Sequence, residues 1–131
     1  VQAMPCICWG FVLSRILSGL SVVTFPKARK DGMVRAMADA ADRHVATILT
    51  AELLAAGVLL FVPTLLGSTR LCYPLVTLLM ASLSFGWYRR RILPIFGGTT
   101  GDLCGYFLCN CERAILAGNL LCLILSSAFA H

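Results

Sequence analysis

Residues 96–112, FGGTTGDLCGYFLCNCE, carry the polar groups in this sequence that are best suited to bind a phosphate. Gly97 and Gly98 allow a tight turn and a close approach of the backbone to a ligand. Thr99 and Thr100 supply hydroxyls and a candidate helix N-cap, and Asp102 follows in the first turn of a helix whose free N–H groups favour anions. Gly-rich turns also precede many ordinary helices, so the pattern by itself indicates an anion site without establishing one.

Two carboxylates lie on one face of that predicted helix. Asp102, Gly105, Cys109 and Glu112 follow one another at steps of three, four and three residues, which places them on the same side. Carboxylate oxygens beside a phosphate site suit Mg²⁺. We therefore predict that Asp102 and Glu112 bind a metal ion.

A second acidic pair, Asp39 and Asp42, is three residues apart and also shares a helical face. The pair has the spacing of metal ligands. Arg35 and Arg43 lie nearby, and a solvated face with mixed charges is the interpretation that the pattern favours.

Two charges fall in the middle of apolar stretches: Arg15 in VLSRILSGL and Glu52 in LTAELLAAG. A charge at the centre of a bilayer costs on the order of 3 kcal/mol on insertion scales, so such residues usually face a protein interior or a polar cavity. The two side chains neutralise each other, or Arg15 binds a phosphate through its guanidinium group. The two alternatives are not exclusive, and both stay open.

The seven cysteines match no common zinc-binding spacing and have no histidine near them. Small apolar thiols in a reducing compartment are the favoured interpretation. A metal or redox role for Cys104, Cys109 and Cys111 is the alternative.

The composition is that of a membrane protein. Hydrophobic residues make up 59% of the 131 residues and charged residues 13%, against about 45–50% and about 25% in soluble domains. The mean hydropathy is +0.86. The net charge of +5 indicates loops at an anionic membrane surface rather than a nucleic-acid partner.

The elements that position these residues are four predicted membrane helices. Helices are the default because lipid leaves open strands unpaired, and about 20 apolar residues cross a bilayer. The fold class is therefore all-α, a polytopic helix bundle in which the segment 33–44 forms a short interfacial helix or the start of the second span. The four apolar stretches are 6–25, 45–66, 71–88 and 114–130, the last of which begins earlier, within the glycine-rich motif.

The basic residues predict the topology. Nine of the eleven Lys and Arg residues fall in the loops 26–44 and 89–113, which lie on the same side of a four-span bundle. The positive-inside rule places that side, and the Gly-Thr-Asp motif with it, in the cytoplasm. The sequence predicts a multi-pass protein of the cytoplasmic membrane and leaves its oligomeric state open.

Three motifs together resemble the cobalamin synthase family, the adenosylcobinamide-GDP ribazoletransferases. The order and distances of the motifs agree with the family pattern, and the resemblance covers essentially the whole chain but only the C-terminal half of a family member. The matching positions are Gly97, Gly98, Thr100, Gly101, Asp102, Gly105 and Glu112 in the last motif, Ala28, Arg29 and Gly32 in the loop before it, and Ser14 and Arg15 in the first span.

The chain departs from the family in three places. Tyr106 stands where members often have Ala, and Cys109 stands where they often have a third acid. The Asp-rich motif of the family's N-terminal half, its best candidate for the catalytic site, is absent from this sequence. The catalytic residues are therefore unknown, and we expect one membrane domain, 1–131, that is a C-terminal fragment and inactive alone.

The resemblance implies a transferase that joins α-ribazole, or its 5′-phosphate, to GDP-activated cobinamide with release of GMP. It implies Mg²⁺ as the cofactor, and phosphate contacts by Arg15, Arg29, Gly98, Thr100 and Gly101. The competing hypothesis is a non-enzymatic membrane protein, such as a transporter subunit or an assembly factor.

Overall fold

The computed structural model describes residues 3–28, 32–41 and 44–129. Within these ranges the chain is helical, without a strand, and one isolated parallel β-bridge joins Lys27 to Thr99. The helices are α1 (Met4–Thr24), α2 (Met33–Ala40), α3 (Val45–Leu59), α4 (Val62–Leu65), α5 (Cys72–Trp87), α6 (Leu93–Phe96) and α7 (Gly101–Ala128), with a π-helical turn at Tyr88–Ile92.

The structure confirms the helical membrane bundle. Among the described residues, three helical stretches are long and apolar enough to cross a bilayer: Met4–Thr24, Val45–Leu65 and Gly101–Ala128. The predicted stretch at 71–88 forms α5, which has 16 residues and continues directly into the π-helical turn. At about 1.5 Å per residue, α5 alone is shorter than a hydrocarbon core of about 30 Å. The count of four spans therefore stays a prediction.

Helix α1 lies at the centre of the bundle and packs against α3, α5 and α7, while α5 and α7 form the most extensive helix pair. Small residues permit the close approach of these helices. A Cβ atom at Gly118 would lie 2.8 Å from Cγ of Met80, and one at Gly10 would lie 2.8 Å from Cγ2 of Ile115.

A buried polar contact also joins α5 to α7. Asn119 is fully buried, and its Nδ2 donates to Oγ1 of Thr77 at 2.9 Å and to the carbonyl of Ile115 at 2.9 Å. In lipid such a contact fixes how two helices are rotated against each other, because an unpaired amide is costly there.

The structure brings the two predicted basic loops to one end of the bundle, except that residues 101–113 of the second loop, with Arg113, lie within α7. The C-terminal end of α1, the π-helical turn and the N-terminal end of α7 meet at one end of the bundle. Phe25, just after α1, has its ring centroid 6.4 Å from that of Tyr88, and Lys27 is bridged to Thr99. The segments after α1 and before α7 therefore form one layer.

Candidate functional site

The glycine-rich turn is joined to the segment after α1 by backbone contacts. The amide of Thr99 donates to the carbonyl of Pro26 at 2.7 Å, and the amide of Ala28 donates to the carbonyl of Thr99 at 3.2 Å. Gly98 makes this pairing possible, since a Cβ at that position would lie 2.6 Å from the carbonyl oxygen of Pro26. Its φ of +139° also favours glycine.

Helix α7 begins directly after this turn with the predicted cap. Thr100 has extended backbone angles, and its Oγ1 accepts from the amide of Leu103 at 3.3 Å. The cap satisfies one of the four free N–H groups at the helix N-terminus, and the others remain available. Asp102 lies in the first turn of this 28-residue helix with its side chain exposed.

A cavity of about 400 Å³ lies between this helix N-terminus and the segments around α2. Its walls combine two basic side chains with one carboxylate, and the helix dipole adds partial positive charge at α7. This combination suits a phosphorylated ligand that carries a divalent cation. The cavity is lined by Lys27, Gly32, Met33, Arg35, Phe96, Thr99, Thr100, Gly101, Asp102 and Leu103.

The structure brings several of the predicted site residues together. Thr100, Gly101 and Asp102 line the cavity directly. Gly98 lies behind them, buried against the backbone of the α1–α2 segment, so its part is to hold the turn. Arg29, a predicted phosphate ligand, lies outside the described residues.

Glu112 lies away from this cavity. It is ten residues beyond Asp102 on the same helix, which corresponds to about 15 Å along the axis. Its Oε1 lies 3.4 Å from Oγ of Ser14, which is fully buried in α1 and also donates to the carbonyl of Phe11 at 2.8 Å. This separation makes Asp102 and Glu112 unsuited to bind one ion together, and a metal at Asp102 stays a prediction.

Among the described residues, Arg15 lies neither in the lining of the cavity nor in an ion pair. It is exposed on α1, and Glu52 is exposed on α3. Among the described residues, the ion pair that the structure contains joins Arg35 to Asp39 at 3.4 Å, so the suggested pairing of Arg15 with Glu52 is wrong. The phosphate contact predicted for Arg15 has no support from the cavity's lining.

The Arg35–Asp39 pair agrees with the interpretation of α2 as a charged, solvated face. Both side chains are exposed, at 48% and 67%. Asp42 and Arg43, the other members of the predicted cluster, lie outside the described residues.

The cysteines do not form a metal centre with any other described residues. No group of three or more His, Cys, Asp or Glu side chains in the described part of the chain is placed to hold a metal ion. All seven cysteines are free thiols, with Cys109 exposed and Cys111 buried on opposite sides of α7. The alternative of a joint metal or redox role for Cys104, Cys109 and Cys111 is therefore not supported.

The sequence matches the cobalamin-5-phosphate synthase family over residues 1–120. The chain belongs to that family. It is 41% identical over 111 residues to an adenosylcobinamide-GDP ribazoletransferase of Lachnoclostridium phytofermentans. The match covers 82% of this chain and 39% of that relative, so the chain spans about two fifths of the relative's length. No solved structure matches the chain.

Sequence reasoning missed two basic residues that line the cavity. Lys27 and Arg35 line the cavity, whereas the basic residues that the sequence predicted to bind phosphate were Arg15 and Arg29. Lys27 directly precedes the matched Ala28-Arg29 pair, and that adjacency was the available signal.

The polar layer beneath the glycine-rich turn was also missed. The hydroxyl of Tyr88 and Oγ1 of Thr99 are both buried and have no hydrogen-bond partner among the described residues. Close by, Oγ of Ser21 lies 3.9 Å from Sγ of Cys104. Tyr88 begins the π-helical turn, a conformation that is frequent at functional sites and has no simple sequence signature.

Proposed function

We propose that the chain supplies the diphosphate-binding surface of an adenosylcobinamide-GDP ribazoletransferase, and that this surface faces the cytoplasm. Family membership and the 41% identity to the relative of that name support the activity. The basic loops on one side of the bundle support the orientation. The observation that carries the proposal is the cavity in which Lys27, Arg35 and Asp102 surround the N-terminus of α7.

The reaction is a phosphoryl transfer. A ribazole hydroxyl attacks the phosphorus atom that is bonded to cobinamide, and a new P–O bond forms as the hydroxyl proton is released. The bond from that phosphorus to the bridging oxygen of the diphosphate breaks, and GMP leaves with the bridging oxygen. Catalysis of this kind depends mainly on positioning and on neutralising the charge of the phosphates.

The described residues offer both of these contributions. Lys27 and Arg35 place positive charge beside the diphosphate, and the free N–H groups of α7 donate to its oxygens. Thr100 fixes the first turn of α7, so these N–H groups point in a constant direction.

The donor set around Asp102 fits Mg²⁺ that is held jointly with a substrate. Mg²⁺ is commonly bound by one or two carboxylates, with phosphates and water completing the shell. Asp102 is the carboxylate that lines the cavity, and its side chain is exposed. Bound Mg²⁺ would neutralise charge on the diphosphate, while Asp102 would hold it at the mouth of the cavity.

The competing hypothesis of a transporter subunit or an assembly factor is not favoured by the family match. Arg15 and Glu52, the mid-span charges that suggested it, lie exposed on two helices and line no shared cavity that the structure describes.

A chimera tests the proposed activity. The region of the Lachnoclostridium enzyme that aligns with this chain is replaced by this chain, and release of GMP from adenosylcobinamide-GDP is measured in liposomes with α-ribazole. We expect turnover by the chimera, and at least tenfold less with Lys27→Gln, because one charge beside the diphosphate is removed. Arg70→Gln, at the opposite end of the bundle, is the matched control. A chimera that inserts and folds but releases no GMP would contradict the proposed activity.

The orientation has its own test. Reporter fusions after Gly32 and after Ser68 place a reporter in the first and second predicted loops. Fluorescence of green fluorescent protein at Gly32 and alkaline phosphatase activity at Ser68 are the expected results. The reverse pattern would place the cavity outside the cytoplasm.

A further inference from the structure

A second, larger cavity opens sideways between α3 and α5. Its volume is about 830 Å³, and its floor is formed by three leucines of α1, Leu13, Leu17 and Leu20. Leu53 of α3 and Leu78 of α5 contribute to its two walls. The cavity is an apolar groove that runs along the bundle, within the size range of about 300–1,000 Å³ that is typical of small-ligand sites.

One end of this groove is strongly basic. Arg89, Arg90 and Arg91 line it, and all three are exposed. The guanidinium carbon of Arg89 lies 5.5 Å from the ring centroid of Phe25, which anchors that side chain above the groove. Among the described residues, none of the three arginines forms an ion pair with a carboxylate.

Trp87 marks the depth of this basic end in the membrane. It lines the groove next to the arginines and is 47% exposed. Tryptophan is enriched at the level of the lipid headgroups, and arginines at that level attract anionic lipids. The apolar part of the groove then lies at the depth of the acyl chains.

We propose that this groove binds an anionic phospholipid, with one acyl chain against the exposed leucines of its walls, Leu54 of α3 and Leu83 of α5, and the phosphate against Arg90 and Arg91. The charge of the groove's end selects an anionic headgroup over a zwitterionic one, because guanidinium groups bind phosphate oxygens in a paired geometry. Lipid binding here involves neither Asp102 nor Lys27, so it is independent of the transferase activity.

The chain's two tryptophans, Trp9 and Trp87, provide the test. In Trp9→Phe, Trp87 is the single fluorophore and lies at the groove. The purified variant is placed in phosphatidylcholine vesicles, and its fluorescence is quenched by phosphatidylglycerol or by phosphatidylcholine, each with brominated acyl chains. Brominated phosphatidylglycerol should quench Trp87 at a mole fraction that is at least about fivefold lower than that of brominated phosphatidylcholine. Each arginine near the surface strengthens the binding of an anionic lipid by about that factor.

Two variants separate specific binding from general lipid contact. Arg90→Gln with Arg91→Gln should abolish the preference for phosphatidylglycerol, whereas Arg70→Gln, at the other end of α5, should retain it. Trp87→Phe leaves Trp9 as the reporter, near the end of α1 that lies away from the three arginines. Trp9 should be quenched equally by the two lipids. Equal quenching of Trp87 by both lipids, or a preference that survives the loss of both arginines, would overturn the proposal.

Two further measurements keep both tryptophans in place. Excess inorganic phosphate should leave the quenching unchanged, and displacement of phosphatidylglycerol by it would assign the arginines to a soluble anion and refute lipid binding. Lipids extracted from the purified protein should be enriched in phosphatidylglycerol relative to those from the Arg90→Gln, Arg91→Gln variant. Identical lipid contents would count against the site without depending on any tryptophan substitution.

Discussion

Gly98→Ala should separate the glycine-rich turn from the segment after α1. The new Cβ would lie 2.6 Å from the carbonyl oxygen of Pro26 and 2.7 Å from the amide nitrogen of Ala28. Both are backbone atoms, which cannot rotate away as a flexible side chain can. The overlap is therefore relieved by moving the two segments apart.

The cost has two parts. A non-glycine residue held at a φ of +139° is strained by about 1–3 kcal/mol. Moving the segments apart weakens the two hydrogen bonds between them, from Thr99 to Pro26 and from Ala28 to Thr99, each worth about 0.5–1.5 kcal/mol. Together the substitution should weaken the contact between the segments by about 2–6 kcal/mol.

Hydrogen exchange at the amide of Thr99 measures this contact directly, because that amide donates to Pro26. Each 1.4 kcal/mol corresponds to a tenfold change in an equilibrium constant, so the lower bound of about 2 kcal/mol predicts exchange roughly 30-fold faster in Gly98→Ala than in the unaltered chain. Gly97→Ala is the matched control for backbone strain, since its φ is +73° but nothing lies within 4 Å of its Cβ. Gly105→Ala, in open space on α7, should leave Thr99 unchanged. Equal exchange in Gly98→Ala and Gly97→Ala would refute the reasoning that steric overlap at residue 98 matters.

Three further substitutions test the elements that carry the site. Thr100→Val should destabilise the first turn of α7 by about 0.5–2 kcal/mol, which is measured as faster hydrogen exchange of the Leu103 amide. Thr100→Ser should retain the slow exchange because it retains the hydroxyl. Equal exchange in the two variants would argue against the cap. Gly118→Leu should destabilise the α5–α7 pair by about 1–3 kcal/mol in detergent unfolding, because Cγ of Met80 would lie 2.8 Å from the new Cβ. A stability like that of the unaltered chain would contradict this packing. Thr77→Val keeps the shape of the side chain but removes the hydroxyl that accepts from Asn119. The free energy of unfolding should fall by about 0.6–1.7 kcal/mol in the same assay. An unchanged free energy would mean that this hydrogen bond does not stabilise the bundle.

The composition and the apolar stretches were sufficient to predict the helical bundle, because lipid leaves few other ways to satisfy the backbone. The residue types at 99–102 predicted a helix that opens at Gly101-Asp102 with a threonine N-cap, and the structure selects Thr100 as that cap. These are local features, which depend on residues within one helical turn. Helix α2 begins at Met33, where the predicted interfacial helix begins, and ends at Ala40, four residues before the predicted end.

The contact between Gly98 and the Pro26–Ala28 backbone could not be read from the sequence. It joins segments about 70 residues apart, and a glycine shows only that space or an unusual angle is needed. The role of Lys27 and Arg35 follows from that contact, since it places the segments around α2 beside α7.

Arg15 shows why a mid-span charge is difficult to assign. Its neighbour Ser14 lies on the buried face of α1, but one residue along a helix turns the side chain by about 100°. Arg15 therefore lies exposed on the bundle, although the hydropathy pattern predicted an interior position.

We propose above all that the cavity at the start of α7 binds a diphosphate together with Mg²⁺ at Asp102. The most direct measurement is the affinity of the reconstituted chain for adenosylcobinamide-GDP with and without Mg²⁺. It is made on the unaltered chain, on Asp102→Asn, and on Glu52→Gln, which is the matched carboxylate control on α3. We expect Mg²⁺ to strengthen binding at least tenfold in the unaltered chain and in Glu52→Gln, and to have no effect in Asp102→Asn. An equal effect of Mg²⁺ in all three proteins would contradict the assignment of this cavity.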